Sequence, residues 1–169
     1  MDMAALRRIM ERCITKDSTM KILLPIDGSE LSLHEVRFAM KLLREGLQAN
    51  FLLVNVQEPA TLYEMVTAPD PAVLESVSQA AGSHALQPAM ALLKQAGMAC
   101  ETAVITGDPA HAVLELIEQH GCEMVIMGTR GQGLLRSALT GSVAQSLMHN
   151  SPVPVLLVKP PPDEDTADT

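Results

Sequence analysis

Aromatic side chains are scarce: they make up 2% of the 169 residues, and tryptophan is absent. Single-stranded nucleic acid is held on aromatic stacking platforms, so this scarcity argues against that class of ligand. Basic charge is short as well, with 12 Lys and Arg against 20 Asp and Glu and a formal net charge of −8. Asp163, Glu164, Asp165 and Asp168 supply half of that charge from the tail, so the body is only mildly acidic. No basic face remains to neutralise a phosphate backbone, and no nucleic acid partner is expected. Long apolar runs are missing too. Neither a membrane span nor a signal-peptide core can be drawn, and the expectation is a soluble, cytoplasmic protein with no membrane partner.

Cysteine is sparse and unpatterned. Cys13, Cys100 and Cys122 are odd in number and lack C-x-x-C spacing, which fits reduced structural thiols. His34, His84, His111, His120 and His149 are scattered singly, so no zinc-type cluster is expected and no metal ligand is assigned.

What the chain does have is aliphatic bulk. Hydrophobic residues make up 47% of the sequence, including eleven methionines, and the length suits one domain with a sizeable core. Residues 1–19 stand apart as an extension. Met3, Leu6, Met10 and Cys13 fall on one face of a possible short helix. Ile22 to Ile26 reads as a first buried strand ending at Asp27, with Ser29 placed to cap a helix striped by Leu33, Val36, Met40, Leu43 and Leu47. Phe51–Val56 is a second strand. After a proline-containing loop from Gln57 to Pro71, residues 72–96 are helical in composition. Pro88 divides them into two helices or bends one, and the pattern leaves both open. Glu101–Ile105 reads as a strand, followed by a helix carrying Val113, Leu114 and Ile117 and ended by Gly121. Met124–Met127 and Val153–Val158 are the last two strands, and 160–169 is an acidic, unfolded tail. This alternation of strand and helix predicts a three-layer α/β fold with a parallel sheet.

Between the fourth strand and the last helix runs Met127-Gly128-Thr129-Arg130-Gly131-Gln132-Gly133, continuing to Gly141-Ser142-Val143. Backbone N–H groups in such a passage have left the sheet and are not yet used by the helix, so they can cradle an anion. Glycine removes the Cβ atoms that would hold a phosphate off the backbone. Two better-known phosphate loops are absent: no Gly-Lys-Ser/Thr and no G-x-G-x-x-G occurs here. Lys159, not an acid, follows the next strand, which disfavours a dinucleotide site. The spacing is informative: Gly128, two residues, Gly131, nine residues, then Gly141-Ser142.

On that spacing, GTRGQGLLRSALTGSV followed by SPVPVLLV resembles the ATP-binding branch of the universal stress protein family, over about residues 20–159. The resemblance implies a Rossmann-like five-stranded parallel sheet of order 3-2-1-4-5. Asp27 and the glycine loop would then face one crevice, where ligands bind in such sheets. It further implies that Pro25, Asp27 and the Val56 backbone hold adenosine. Gly128, Gly131, Gly141, Ser142 and Val143 would hold ribose and phosphates, with Met127 flanking. Arg130 is either a phosphate contact or a solvated loop residue. Asp27 could equally be a helix cap, and Val56 simply core. Asn55 departs from the histidine many members carry there.

Three functions are weighed. One is a regulatory stress-response protein binding ATP or another adenine nucleotide, with Mg²⁺ held mainly by phosphates and water. The second is a slow ATP hydrolase; beyond Asp27 no base stands out and no lysine is dedicated to phosphoryl transfer, so at most weak turnover is expected. The third is a nucleotide-independent dimeric scaffold, which the intact glycine pattern opposes. In the implied order Val153–Val158 is an edge strand, apolar and uncharged, and pairing with a second copy would cover it. A homodimer through this strand is expected, as the resemblance also implies.

Overall fold

A computed structural model describes residues 19–59, 70–129 and 141–159. The elements run β1 Met20–Pro25, α1 Glu30–Arg44, β2 Ala49–Gln57, α2 Pro71–Gln95, β3 Cys100–Thr106, α3 Pro109–His120, β4 Met124–Gly128, α4 Ser142–Asn150 and β5 Val155–Val158. All five strands are parallel, in the order β3-β2-β1-β4-β5. This is the expected α/β sheet.

Two aliphatic cores lie on the two sides of the sheet. Ile22, Leu24, Phe51, Leu53 and Ile126 pack with α1 and α2, while Leu23, Leu52, Val54, Val125 and Met127 pack with α3 and α4. Successive strand residues alternate between the faces, so strands covered on both sides must be apolar at nearly every position. The continuous runs in β1 and β2 follow from this.

Register decides where the crevice opens. β1 pairs with β2 along its whole length, from Met20 opposite Ala49 to Pro25 opposite Val54. Its pairing with β4 covers only Ile22 opposite Met124 and Leu23 opposite Val125. Beyond those pairs the two strands lack a ladder at their carboxyl ends. That is also where the chain order reverses, so a groove opens there.

The stretch around Pro88 is one helix of 25 residues. Proline deletes one helical hydrogen bond and crowds the preceding turn, at about 3 kcal/mol in a helix interior. The buried row Gly82, Leu86, Ala89 and Leu93 nevertheless continues past it, with Pro88 itself exposed. Burial of that row onto the sheet outweighs the local preference. At the end of α3, Gly121 takes the left-handed conformation with φ 62°, as a glycine terminator should.

The strands stand where expected but differ in their limits: β1 runs Met20–Pro25 rather than Ile22–Ile26, β2 runs Ala49–Gln57 rather than Phe51–Val56, and β4 adds Gly128. β3 extends by one residue at each end. β5 begins at Val155, because Ser151 turns the chain first: its Oγ donates to the Val153 carbonyl at 2.8 Å and accepts from the Val153 N–H at 3.2 Å. In α4, Met148 is 47% exposed, while Ala144 and Leu147 are buried. Most of the N-terminal extension, Arg130, Gly131, Leu139 and the acidic tail lie outside the described residues.

Candidate functional site

Pro25 and Ile26 leave β1 still attached to β2, since the Ile26 N–H donates to the Val54 carbonyl at 2.7 Å. Gly28 then turns the chain with φ 83°, a conformation open to glycine and strained for residues with a Cβ. The turn folds Ser29 back onto Asp27. Its N–H and Oγ donate to Asp27 Oδ1 at 2.9 and 2.6 Å. Ser29 Oγ in turn accepts from the Ser32 N–H at 3.2 Å and caps α1. Asp27 therefore orients the cap, and Ser29 makes the capping bond.

Asn55, on β2, is 3% exposed and donates from Nδ2 to the Ile26 carbonyl at 2.7 Å. Its Oδ1 accepts from Gln57 Nε2. The asparagine thus ties the exit of β1 to β2 and fixes the backbone on which Asp27 and Val56 are displayed. Val56 is half-buried, packs against the core and lines the crevice.

The opposite wall comes from β4 and α4. Met127 is 7% exposed, Gly128 is buried, and Thr129 and Gly141 are joined by a Gly141 N–H to Thr129 carbonyl bond of 2.7 Å. That bond brings the two ends of the glycine passage together at the crevice. α1, α2 and α3 are capped by the side chains of Ser29, Asp70 and Asp108. α4 instead starts after Gly141, which has no side chain to cap with. Its first turn lines the groove without a side-chain cap, at the end of the helix where the dipole is positive.

Of the residues singled out from the sequence, Pro25, Asp27, Val56, Met127, Gly128, Gly141, Ser142 and Val143 line this one crevice. Arg130 and Gly131 lie outside the described residues.

One residue of the crevice was not anticipated. Glu35, on α1, is 4% exposed, lines the groove, and leaves Oε2 without a hydrogen-bond partner among the described residues. Burial, reinforced by the nearby Asp27 charge, pushes its carboxyl up to about 8 from 4.5, against the opposing effect of a hydrogen bond with the Gly128 backbone. At neutral pH it is mostly the neutral acid. Its signal in the sequence is its place in the row Ser32, Glu35, Val36, Ala39, an acid among residues on the inward face of a helix.

A model of the universal stress protein family matches residues 19–159. Universal stress protein MJ0531 of Methanocaldococcus jannaschii is 28% identical over 144 residues, covering 85% of this chain and 84% of its own. A universal stress protein of Thermus aquaticus is 32% identical over 139 residues, covering 82% and 97%. Among solved structures, MJ0577, described as a hypothetical protein, superposes with a TM-score of 0.71 at 23% identity, covering 86% of this chain and 99% of that one. An Arabidopsis thaliana member of the family with AMP bound gives 0.64 at 19% identity, covering 88% and 97%. A universal stress protein in complex with cAMP gives 0.57 at 23% identity, covering 82% and 95%. No helix among the described residues is long and apolar enough to cross a membrane. With its fold, its glycine spacing and a family match running through all five strands, this chain belongs to the universal stress protein family.

Proposed function

We propose that the crevice binds an adenine nucleotide, ATP, ADP or AMP, and that the protein works as a nucleotide-responsive, dimeric regulator of the stress response in the cytoplasm. The observation that carries this reading is the side-chain-free start of α4, opening onto the same groove as Asp27 and the Val56 backbone. A helix N-terminus reached through a glycine passage favours phosphate, and the polar wall across from it offers hydrogen bonds to a nucleoside. Related proteins solved with AMP and with cAMP support an adenine ligand. In this reading Pro25, Asp27 and Val56 take the adenosine end, with Met127 beside it. Gly128, Gly131, Gly141, Ser142 and Val143 take ribose and phosphates, with Arg130 as a further phosphate contact. Mg²⁺ would be carried in on the phosphates.

Phosphoryl transfer stays secondary. It needs a base and cationic groups fixed around the transferring phosphate, and the sequence offers no convincing base beyond Asp27 and no dedicated lysine. Dimerisation through β5 is supported by its position at one edge of the sheet, where no described strand pairs with its outer side.

The test is mass spectrometry of ligand released from purified protein, followed by thermal shifts with ATP and GTP. An adenine nucleotide should be released or accepted, and ATP should raise Tm more than GTP. A ligand in hundredfold excess over its Kd adds about 2.7 kcal/mol. Gly141→Val fits the backbone there, with φ −71° and ψ 157°, and should weaken binding at least tenfold, about 1.4 kcal/mol. Equal shifts with ATP and GTP would remove the adenine assignment. Wild-type affinity in Gly141→Val would remove α4 from the site.

A further inference from the structure

The described walls of the crevice are acidic. Asp27, Glu35, Glu58, Glu75 and Asp108 all line it, and no basic side chain among the described residues does. Among these acids, Glu35 has a hydrogen bond with the Gly128 backbone on the glycine wall. Glu35 is also the most deeply placed: 4% exposed, with Oε2 unpartnered. An ionised carboxylate has only acceptor sites and would repel a phosphate or compete with ribose oxygens for donors. A neutral carboxylic acid has a donor. An unpartnered buried oxygen beside the ligand space is costly while the groove is empty, and the cost is relieved when the ligand supplies a partner.

We propose that Glu35 is a ligand-binding residue of the crevice, acting as the neutral acid and donating its O–H to an acceptor oxygen on the ribose–phosphate part of the bound nucleotide. This rests on the nucleotide reading above. The proton stays on Glu35; it is shared with the ligand, not transferred. Binding is therefore linked to proton uptake wherever the ligand-free protein has lost that proton.

The groups that act on this proton can be named. Asp27, at the exit of β1, raises its affinity, and the Gly128 backbone lowers it. Glu58 beyond β2, Glu75 on α2 and Asp108 before α3 are the other titratable groups lining the groove among the described residues, all acidic. His34 and Arg37 flank it on α1, Arg37 being drawn toward Glu30 at 3.9 Å. With the carboxyl titrating at about 8, one-proton linkage weakens binding roughly tenfold between about pH 7 and about pH 9. Phosphate monoesters titrate near 6, below that window.

The experiment is calorimetric titration of AMP and of ATP without metal, across this pH range, in buffers of different ionisation enthalpy. Wild type should lose affinity about tenfold and take up about half a proton per ligand near pH 8, rising toward one at about pH 9. Glu35→Gln keeps the shape and a donor but cannot titrate, so it should bind at pH 7 within about threefold of wild type with a flat profile. Glu35→Ala should bind at least fivefold more weakly at pH 7, also with a flat profile. Binding by wild type and Glu35→Gln with the same pH profile, or without proton uptake, overturns the proposal and leaves nucleotide binding intact. Wild type that binds neither AMP nor ATP at any pH overturns both. If Mg²⁺ makes affinity rise with pH in wild type and not in Glu35→Gln, the carboxylate is a cation ligand and the donor role is refuted.

Discussion

The buried carboxyl of Glu35 should make the ligand-free fold less stable as the solution becomes alkaline, and a single isosteric change should remove the effect. Below about pH 4.5 the acid is protonated in both folded and unfolded chains and contributes no difference. Above that, the unfolded chain releases the proton while the folded protein retains it up to about 8. The unfolded state then binds fewer protons, so stability falls as pH rises through this window. Each pH unit costs about 1.4 kcal/mol, and allowing for water reaching the groove the total is roughly 2–5 kcal/mol at and above pH 8. Glu35→Gln is neutral throughout. Urea unfolding of both proteins without nucleotide, at a series of pH values, should show the variant more stable by roughly 2–5 kcal/mol near pH 8, with the gap closing toward acid. For a chain of this size that is a Tm difference of roughly 5–15 °C. Stability curves that run parallel from mild acid to pH 8 would show that Glu35 titrates normally, and the burial argument would fail.

Gly82 sits where α2 meets β3, and a Cβ there would lie 2.3 Å from Val104 Cγ1 and 2.9 Å from Asn55 Oδ1. Gly82→Ala should therefore destabilise by about 1–2 kcal/mol, overpacking outweighing alanine's helix preference of about 1 kcal/mol. Adding Val104→Ala should recover part of the loss in denaturant unfolding, and an alanine variant as stable as wild type would refute the close approach. For the proposed dimer, light scattering at micromolar concentration should find wild type at twice the chain mass. Val155→Lys or Leu157→Lys on β5 should shift it toward monomer with circular dichroism unchanged; a monomeric wild type would refute the interface.

Much of this fold was legible in one dimension. Strands covered on both faces need unbroken aliphatic runs, so Ile22–Leu24 and Phe51–Val54 declared themselves, and glycine and serine at Gly121 and Ser29 marked helix limits by local backbone chemistry. The glycine spacing from Gly128 to Ser142 was legible as a mark of the family, whose model matches residues 19–159. Tertiary structure decided the rest. Pro88 stays inside a single helix because Gly82, Leu86, Ala89 and Leu93 bury together against the sheet, a gain that no local preference contains. Asn55 became the tie between β1 and β2 only once the Ile26 carbonyl, 29 residues away, lay beside it. Glu35 looked like any helical acid. Its neutrality arises from the burial of α1 on the sheet and from the nearness of Asp27, and both are created by folding.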